Sequence, residues 1–443
     1  MIKKISFFTF SISLLLSVVL LPSCKKEYLN PSAASAPVVT TNADALMTLA
    51  AGLQNRFTLG RQSPLYSAVS GGAYSVFAIK TIVVSNNNEF ELELGKGSIS
   101  PANSVVSQLW SQCLLTRTEA ETILDNLSVA TDPNDRVGLK VYGSIFYALS
   151  MGTLAQFFEQ IPLEKSINAV FSPRIKALEK AIALLESADA DLATINPSAK
   201  FISKVPPGID VKNTIKALLA RYYNIHSMVT GTYNTASGNK ALTYAGAASQ
   251  IIKSEFRFSV GTPNPVGNIN VLGIVYGGID STLGLRNGQA PSPAASDPRV
   301  GFYISKVGAN YPFKGFAAVQ ATSYPVYLPG EMLLIVAENH ARQSNFVLSK
   351  TALDAVRTKT TDIYLLGANQ PSYTGPLTTT DLLNDIYKQR RLEMYLSGQE
   401  LEDSRRFNRL APNSTGEERN RNFYPYPLIE RQNNTNTPTD PAI

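Results

Sequence analysis

Apolar residues recur at three- and four-residue intervals along much of this chain, and that period commits it to helices. Leu46, Leu49, Ala50, Leu53 and Phe57 form one such stripe, opened by Asn42 or Asp44. Val106, Leu109, Trp110 and Cys113 form the next, continued by Ala120, Leu124 and Leu127. Asp132, Pro133, Asn134 and Asp135 read as a turn and cap ahead of Val141, Ile145 and Ala148. Beyond them Ala148, Gly152 and Ala155 are small enough to let a neighbouring helix approach closely. Ser172 and Pro173 look like a capping serine and a first-position proline, followed by Ile175, Leu178, Ile182, Leu185 and Leu192. A further helix is expected over 211–230, with Ile215, Leu218, Leu219 and Tyr222 inward and Gly231 as its stop, and a short alanine-rich one over 244–252. Helices arriving in pairs joined by turns describe a helical-hairpin array of tetratricopeptide type, although no clean repeat of about 34 residues is present.

Two stretches break the period. Residues 60–100 and 258–327 combine Gly, Pro, Ser and Asn with Tyr66, Tyr74, Phe77, Tyr276, Phe302, Tyr303 and Tyr311. Residues 78–84 read as β-branched strand, and Glu89, Glu91 and Glu93 alternate as if on one face of another. Long irregular segments inside a compact domain are usually functional or disordered, and the aromatic content argues for function. The expected fold is mainly α: tetratricopeptide-like helical hairpins packed with an irregular, loop-rich ligand-binding portion and a few short strands.

The N-terminus addresses compartment. Lys3 and Lys4 precede an apolar run from Ile5 to Leu21, and Leu21-Pro22-Ser23-Cys24 follows. Basic start, short apolar run and small-residue cleavage site make a secretory signal peptide, and a cysteine at that place resembles a lipobox. Cutting before Cys24 and acylating its thiol would leave a lipid-anchored chain. The expected organisation is a signal peptide over 1–23, a Ser/Ala/Pro-rich tether over 24–41 and one domain over 42–443. Within it a helical scaffold (42–60, 101–255) and late helices (330–409) would hold the irregular segments 61–100 and 258–327. Without the leader only Cys113 keeps a free thiol, so the core, not disulfides, must hold the domain. Cys113 lies on an apolar stripe and reads as a buried small hydrophobe. The formal charge is +6, to which Lys3 and Lys4 contribute two, and no basic block suggests nucleic-acid binding.

Catalytic patterns are missing from the sequence. His226 and His340 are the only histidines, each inside a helical pattern. There is no His-Glu-x-x-His, no cysteine pair for zinc and no Gly-x-Ser-x-Gly elbow. Gly95-Lys96-Gly97-Ser98 lacks the earlier glycine of a phosphate loop. The expectation is no catalysis, no cofactor and no metal.

Several blocks, in order, resemble the SusD/RagB family. They are Tyr147-Ala148-Leu149 leading to Phe157-Phe158-Glu159-Gln160-Ile161-Pro162-Leu163; Lys216-Ala217 with Ala220-Arg221; Asp297-Pro298-Arg299; and Tyr324-Pro325-Val326 with Glu331 and Ala337-Glu338. Gln389-Arg390-Arg391-Leu392-Glu393 with Gly398 and Asp403-Ser404-Arg405-Arg406 comes next, and Phe423-Tyr424-Pro425-Tyr426-Pro427 with Glu430 closes the series. Leu328-Pro329-Gly330 and Gln389 depart from the usual pattern. The resemblance implies a cell-surface binding lipoprotein of an outer membrane that captures a nutrient, a glycan or a peptide. It would deliver it to a SusC-like TonB-dependent transporter on which it sits. A scaffold lipoprotein that binds only other proteins, or a surface hydrolase, are the competing readings.

The alternating signs of Arg390, Arg391, Glu393, Asp403, Arg405 and Arg406 fit an ion-pair network fixing helix to helix. A ligand site therefore belongs on the irregular segments. The candidates are Tyr74, Phe77, Asn86, Asn88, Tyr276, Arg286 and Asn287, with Cys24 as the lipid-attachment residue.

Overall fold

The computed structural model describes residues 40–271, 276–285 and 291–443. Asn42 opens the first helix by accepting the Asp44 and Ala45 N–H groups at 2.8 and 3.3 Å, two of the donors that a helix start leaves unpaired. From it run α1 (Ala43–Thr58), α2 (Pro64–Ser75), β1 (Ile79–Thr81), α3 (Asn87–Leu94), α4 (Ser104–Asp125) and α5 (Pro133–Phe157). Then come β2 (Gln160–Pro162), β3 (Phe171–Pro173), α6 (Arg174–Leu192), α7 (Ala199–Lys204), α8 (Val211–His226) and α9 (Thr235–Ala247). Short pieces follow: β4 (Glu255–Phe256), α10 (Pro265–Val271), β5 (Tyr276–Gly278), α11 (Pro298–Tyr303) and β6 (Tyr324–Pro325). The chain closes with α12 (Pro329–Arg342), α13 (Phe346–Arg357), α14 (Thr379–Glu393), α15 (Glu400–Arg406) and α16 (Leu428–Asn433). Helix dominates, and the strands among the described residues form three two-stranded antiparallel ladders.

The hairpin expectation holds. α4 packs on α5, α5 on α6, α6 on α8 and α8 on α9, and α8 and α9 then meet α12. Close approach between α5 and α8 is set by Gly152, where a Cβ would stand 2.1 Å from the Tyr222 ring. Ala217, Ala220, Ala241, Ala245, Met332 and Ile335 make the α8–α9–α12 core, and Leu334, Leu353, Val356, Leu382 and Ile386 make the next layer. Cys113 is fully buried, and burial pushes its thiol far above the usual range. Trp110 is likewise core, edge-on to Phe158 at 4.7 Å and donating to Glu430 Oε2 at 2.9 Å.

Several boundaries differ from the sequence reading. The 211–230 helix ends at His226, and the 244–252 helix instead spans Thr235–Ala247, because Asn234 caps its start by accepting the Ser237 N–H. Ser172 and Pro173 do not cap α6; they lie in β3, paired with β2, and Pro173 supplies no side-chain cap. The largest correction falls on 60–100. That stretch holds α2, whose every residue is buried, and α3, where Glu89, Glu91 and Glu93 sit on a helix rather than on a strand. The strand expected over 78–84 is only Ile79–Thr81.

The charged motifs are an ion-pair network. Arg221 grips Glu331 through Nε at 2.6 Å and Nη2 at 2.7 Å, and also donates to the Val326 carbonyl. Arg406 grips Glu338 at 2.9 and 3.0 Å, and Arg390 donates to Asp403 at 2.8 Å. Arg299 bonds Asp297, Gln389 and Glu393, so the departure at Gln389 still serves the network. All of these side chains are buried, and a buried charge is tolerated only when paired in this way.

Candidate functional site

The β1–β5 ladder joins the two aperiodic stretches, with Thr81 opposite Tyr276. Tyr276 thereby reaches α2: its hydroxyl donates to the Tyr66 hydroxyl at 2.6 Å. Tyr66 in turn donates to Glu89 Oε1 on α3 at 2.9 Å, and the Arg61 guanidinium bonds the same oxygen. Tyr276, Tyr66 and the Glu89 carboxylate are buried, whereas the Arg61 side chain is 45% exposed. One hydrogen-bonded chain thus runs from the core to the surface. Burial, and then the Glu89 charge, raise the Tyr66 hydroxyl well above its ordinary range, so it stays a donor. Burial would weaken the Arg61 charge, but Tyr66 and Glu89 outweigh it and raise the guanidinium further.

At the outer end of this chain lies a groove of about 400 Å³, lined by Arg61, Gln62, Asn86, Asn87, Asn88 and Gln108 among others. Asn88 Oδ1 accepts the Ser104 N–H at 2.7 Å, which fixes the amide with its NH2 left over. Asn86 donates to the Val83 carbonyl at 3.2 Å. The arginine and glutamate cancel in charge, and apart from Val105 the rest of the lining carries amides and hydroxyls. Such a surface recognises a neutral, hydroxyl-rich molecule through directional hydrogen bonds.

The predicted site residues divide. Asn86 and Asn88 line the groove. Tyr74 and Tyr276 do not reach it as contacts, because both are buried: Tyr74 shares a hydrogen bond of 3.0 Å with Thr81 Oγ1, and Tyr276 is held against both Tyr66 and Tyr74 with ring centroids 6.3 and 6.2 Å apart. Tyr276 holds Tyr66 in place. Phe77 is half-buried, outside the groove lining, at a positive φ of 57° in the turn that follows α2. Arg286, Asn287 and Cys24 lie outside the described residues. Arg61, Gln62 and Gln108 escaped the sequence reading, and Tyr66 and Glu89 appeared there without a site role. The signal that could have found them is Ser63-Pro64, a cap and first-position proline that starts α2 and turns Tyr66 inward.

The other chemically suggestive groups have structural partners. Glu91 accepts from Ser100 N and Asn103 Nδ2, and Glu93 accepts the Thr81 N–H. His226 Nδ1 bonds Ser237 Oγ at 2.9 Å, and burial lowers its pKa. A pocket of about 70 Å³ beside Arg221, Tyr222 and Tyr324 has room for a few waters. Among the described residues no helix is long and apolar enough to cross a membrane, and no cluster of three metal-ligating side chains occurs.

Residues 243–440 match the model of the SusD family. Solved structures extend the likeness over most of the chain. A SusD superfamily protein from Parabacteroides distasonis superposes with a TM-score of 0.68 at 14% identity, covering 90% of this chain and 98% of that one. The fold of the chain is SusD-like. A SusD homolog from Bacteroides thetaiotaomicron gives 0.67 at 13% identity, covering 90% of this chain and 98% of its own. A SusD-like carbohydrate binding protein from Bacteroides fragilis gives 0.66 at 13% identity, with 90% and 100% covered. No curated protein matches the sequence. The SusD-like fold accounts for the Asp297-Pro298-Arg299, Glu331–Glu338 and Gln389–Arg406 blocks as helix-fastening ion pairs.

Proposed function

We propose that this SusD-like chain is a nutrient-binding protein without catalytic activity of its own, and that it holds a neutral glycan in the groove beside Arg61, Asn86 and Asn88. The observation that carries the reading is the charge-balanced, amide-lined groove at the end of the Tyr276–Tyr66–Glu89–Arg61 chain. Fixed hydrogen-bonding groups of this kind bind with little ordering cost. The name of the Bacteroides fragilis relative, a carbohydrate binding protein, supports the ligand class. In the same reading Cys24 carries the lipid, the body stands at the outer-membrane surface on its tether, and a SusC-like TonB-dependent transporter receives the ligand. Peptide is the other nutrient class in play.

Arg61→Ala is expected to weaken retention of a bound glycan about 10-fold or more, since it removes a charged donor at the groove mouth. It should lower the melting temperature as well, because the buried Glu89 carboxylate loses its cation; retention is therefore compared at a temperature where both proteins are folded. Frontal affinity chromatography on immobilised neutral oligosaccharides reads this. Unchanged retention would place the site elsewhere, and release of shortened product would point to a hydrolase. Anchoring is a separate test: Cys24→Ala should abolish labelled-palmitate incorporation and move the chain out of the membrane fraction.

A further inference from the structure

The cleft between β3–α6 and α15 is larger than the groove, about 1050 Å³, and is built from different chemistry. Arg174, Arg342, Arg405 and Arg406 line it against two carboxylates, Glu159 and Glu402. Arg406 is paired with both Glu338 and Asp403, and Arg342 with Glu338. Arg174 and Arg405 instead share one carboxylate: Arg174 Nη1 reaches Glu402 Oε2 at 2.7 Å, and Arg405 Nη2 bonds the same oxygen. Their side chains are 12% and 10% exposed and Glu402 is 2% exposed, so this cluster keeps one positive charge in a largely desolvated place, with the exposed Glu159 carboxylate as the other acid of the wall. Arg405 Nε has no hydrogen-bond partner at all. Burial, and beyond it the neighbouring Arg174 and Arg419, pull the Arg405 guanidinium down to about 10 despite Glu402. Two guanidinia around one carboxylate are an arrangement that a second carboxylate would complete.

The rest of the wall says what that carboxylate is attached to. Met228, Val229, Ile175 and Leu383 are aliphatic. The two phenylalanine rings are already engaged by guanidinia: Phe423 by Arg405 at 4.2 Å and Arg174 at 5.3 Å, Phe407 by Arg406 at 5.2 Å and Arg342 at 5.5 Å. Rings so occupied make poor stacking platforms for a sugar, while aliphatic side chains beside a surplus cation suit a carboxylate flanked by apolar groups.

We infer that this cleft is a second binding site, separate from the groove, for an extended peptide segment that places an acidic side chain against Arg174 and Arg405 and apolar side chains along Met228, Val229 and Leu383. The test uses the full chain and a capped pentapeptide alternating leucine and glutamate, with its glutamine counterpart, in a fluorescence-anisotropy titration. The glutamate peptide should bind at least 10-fold more tightly than the glutamine one, and the difference should shrink as salt rises. Thr230 is exposed at the cleft, and Thr230→Glu should cut binding of the acidic peptide several-fold with no change in melting temperature. Arg174→Gln should also cut binding several-fold, and the Thr230 variant keeps the test decisive if loss of the Glu402 ion pair stops Arg174→Gln from folding. Equal binding of the two peptides, no binding of either, or indifference to Thr230→Glu would overturn the inference. So would an oligogalacturonate that displaced the acidic peptide and bound more tightly, since that would make the cleft a site for acidic glycan.

Discussion

The hairpin scaffold and the segment between α1 and α4 are both helical, yet only the first announces itself. In α4, α6 and α8 a buried face alternates with a solvated one, so Leu109 and Cys113, or Leu178 and Leu185, repeat at helical spacing. In α2 every residue from Pro64 to Ser75 is buried, so there is no polar face to set a period. Its composition is also poor for helix: Gly71 and Gly72 stand where a Cβ would come 2.9 Å from the Tyr424 hydroxyl and 2.7 Å from Glu400 Oε2. Glycine costs helix propensity there, and surrounding structure compensates by packing directly on the backbone. A segment can thus look like loop because its environment, not its own pattern, makes it a helix. That segment carries the candidate site.

The scaffold half of this comparison breaks most visibly at Arg406. Removing its guanidinium leaves Glu338 buried with only Arg342 and Asn224 for partners. Burial alone would raise the Glu338 pKa, but Arg406 and Arg342 overturn that and hold it at about 2. Arg406→Ala should therefore cost about 3–5 kcal/mol in chemical denaturation. The pH profile should change as well. A depressed carboxylate pKa contributes stability above the unfolded value of 4.5 that is lost as pH falls toward 2, and the variant should lose most of that acid-side slope. A cost under about 1 kcal/mol would mean that the network is decorative.

Glu400 sharpens the contrast with the opposite sign. It lies where α15 meets α2, with Oε1 accepting the Ser397 N–H at 2.9 Å and Oε2 unpartnered. Burial pushes it up to about 7 from the ordinary 4.5; Arg391 offsets part of this, and Asp403 adds to it. A raised pKa means that the folded state binds the proton more tightly, so stability falls as pH rises from 4.5 through about 7. Glu400→Gln keeps the acceptor for Ser397 and removes the charge. Above pH 8 it should stabilise the fold by on the order of 3 kcal/mol, and at pH 4 by almost nothing. A variant equally stable to the parent at pH 8 would show that water or a shift of α2 already solvates the carboxylate.

What the sequence made legible follows the same division. Asn42, Asp132 and the stripes of α1, α4, α5 and α8 located the scaffold because helix caps and amphipathic periods are local. The charged blocks located the network because opposite signs at helical spacing need partners. Asn86 and Asn88 were singled out as polar residues in a non-periodic segment, and both line the groove. Tyr74 and Tyr276 were misplaced because aromatic side chains suit a core as well as a surface. Only the β1–β5 pairing, almost 200 residues apart in the chain, decides that Tyr276 packs on both Tyr66 and Tyr74. The alternation of Glu89, Glu91 and Glu93 misled for a related reason. Arg61 and Tyr66 capture Glu89, and Leu92 beside it is buried, so an i, i+3 face forms where the sequence suggests a period of two.

The smallest expected effect is the most informative about that pairing. Tyr276→Phe keeps the ring against Tyr66, Tyr74 and Phe313 and removes only the hydroxyl that donates to Tyr66. Both hydroxyls are buried, and Tyr66 still donates to Glu89, so stability should fall by only about 1 kcal/mol. The Tyr66 hydroxyl loses its incoming hydrogen bond, and with it part of what fixes Glu89 and, through Glu89, the angle of Arg61. Ligand retention should therefore drop about 2- to 5-fold, less than for Arg61→Ala, although Tyr276 never touches the groove. Combining the two changes tests whether they act along one chain: the double variant should be no weaker than Arg61→Ala alone, because Tyr276 acts on the ligand only through Arg61. If the losses simply multiply, Tyr276 reaches the ligand by another route, and the positioning role assigned to the tyrosine pair is wrong.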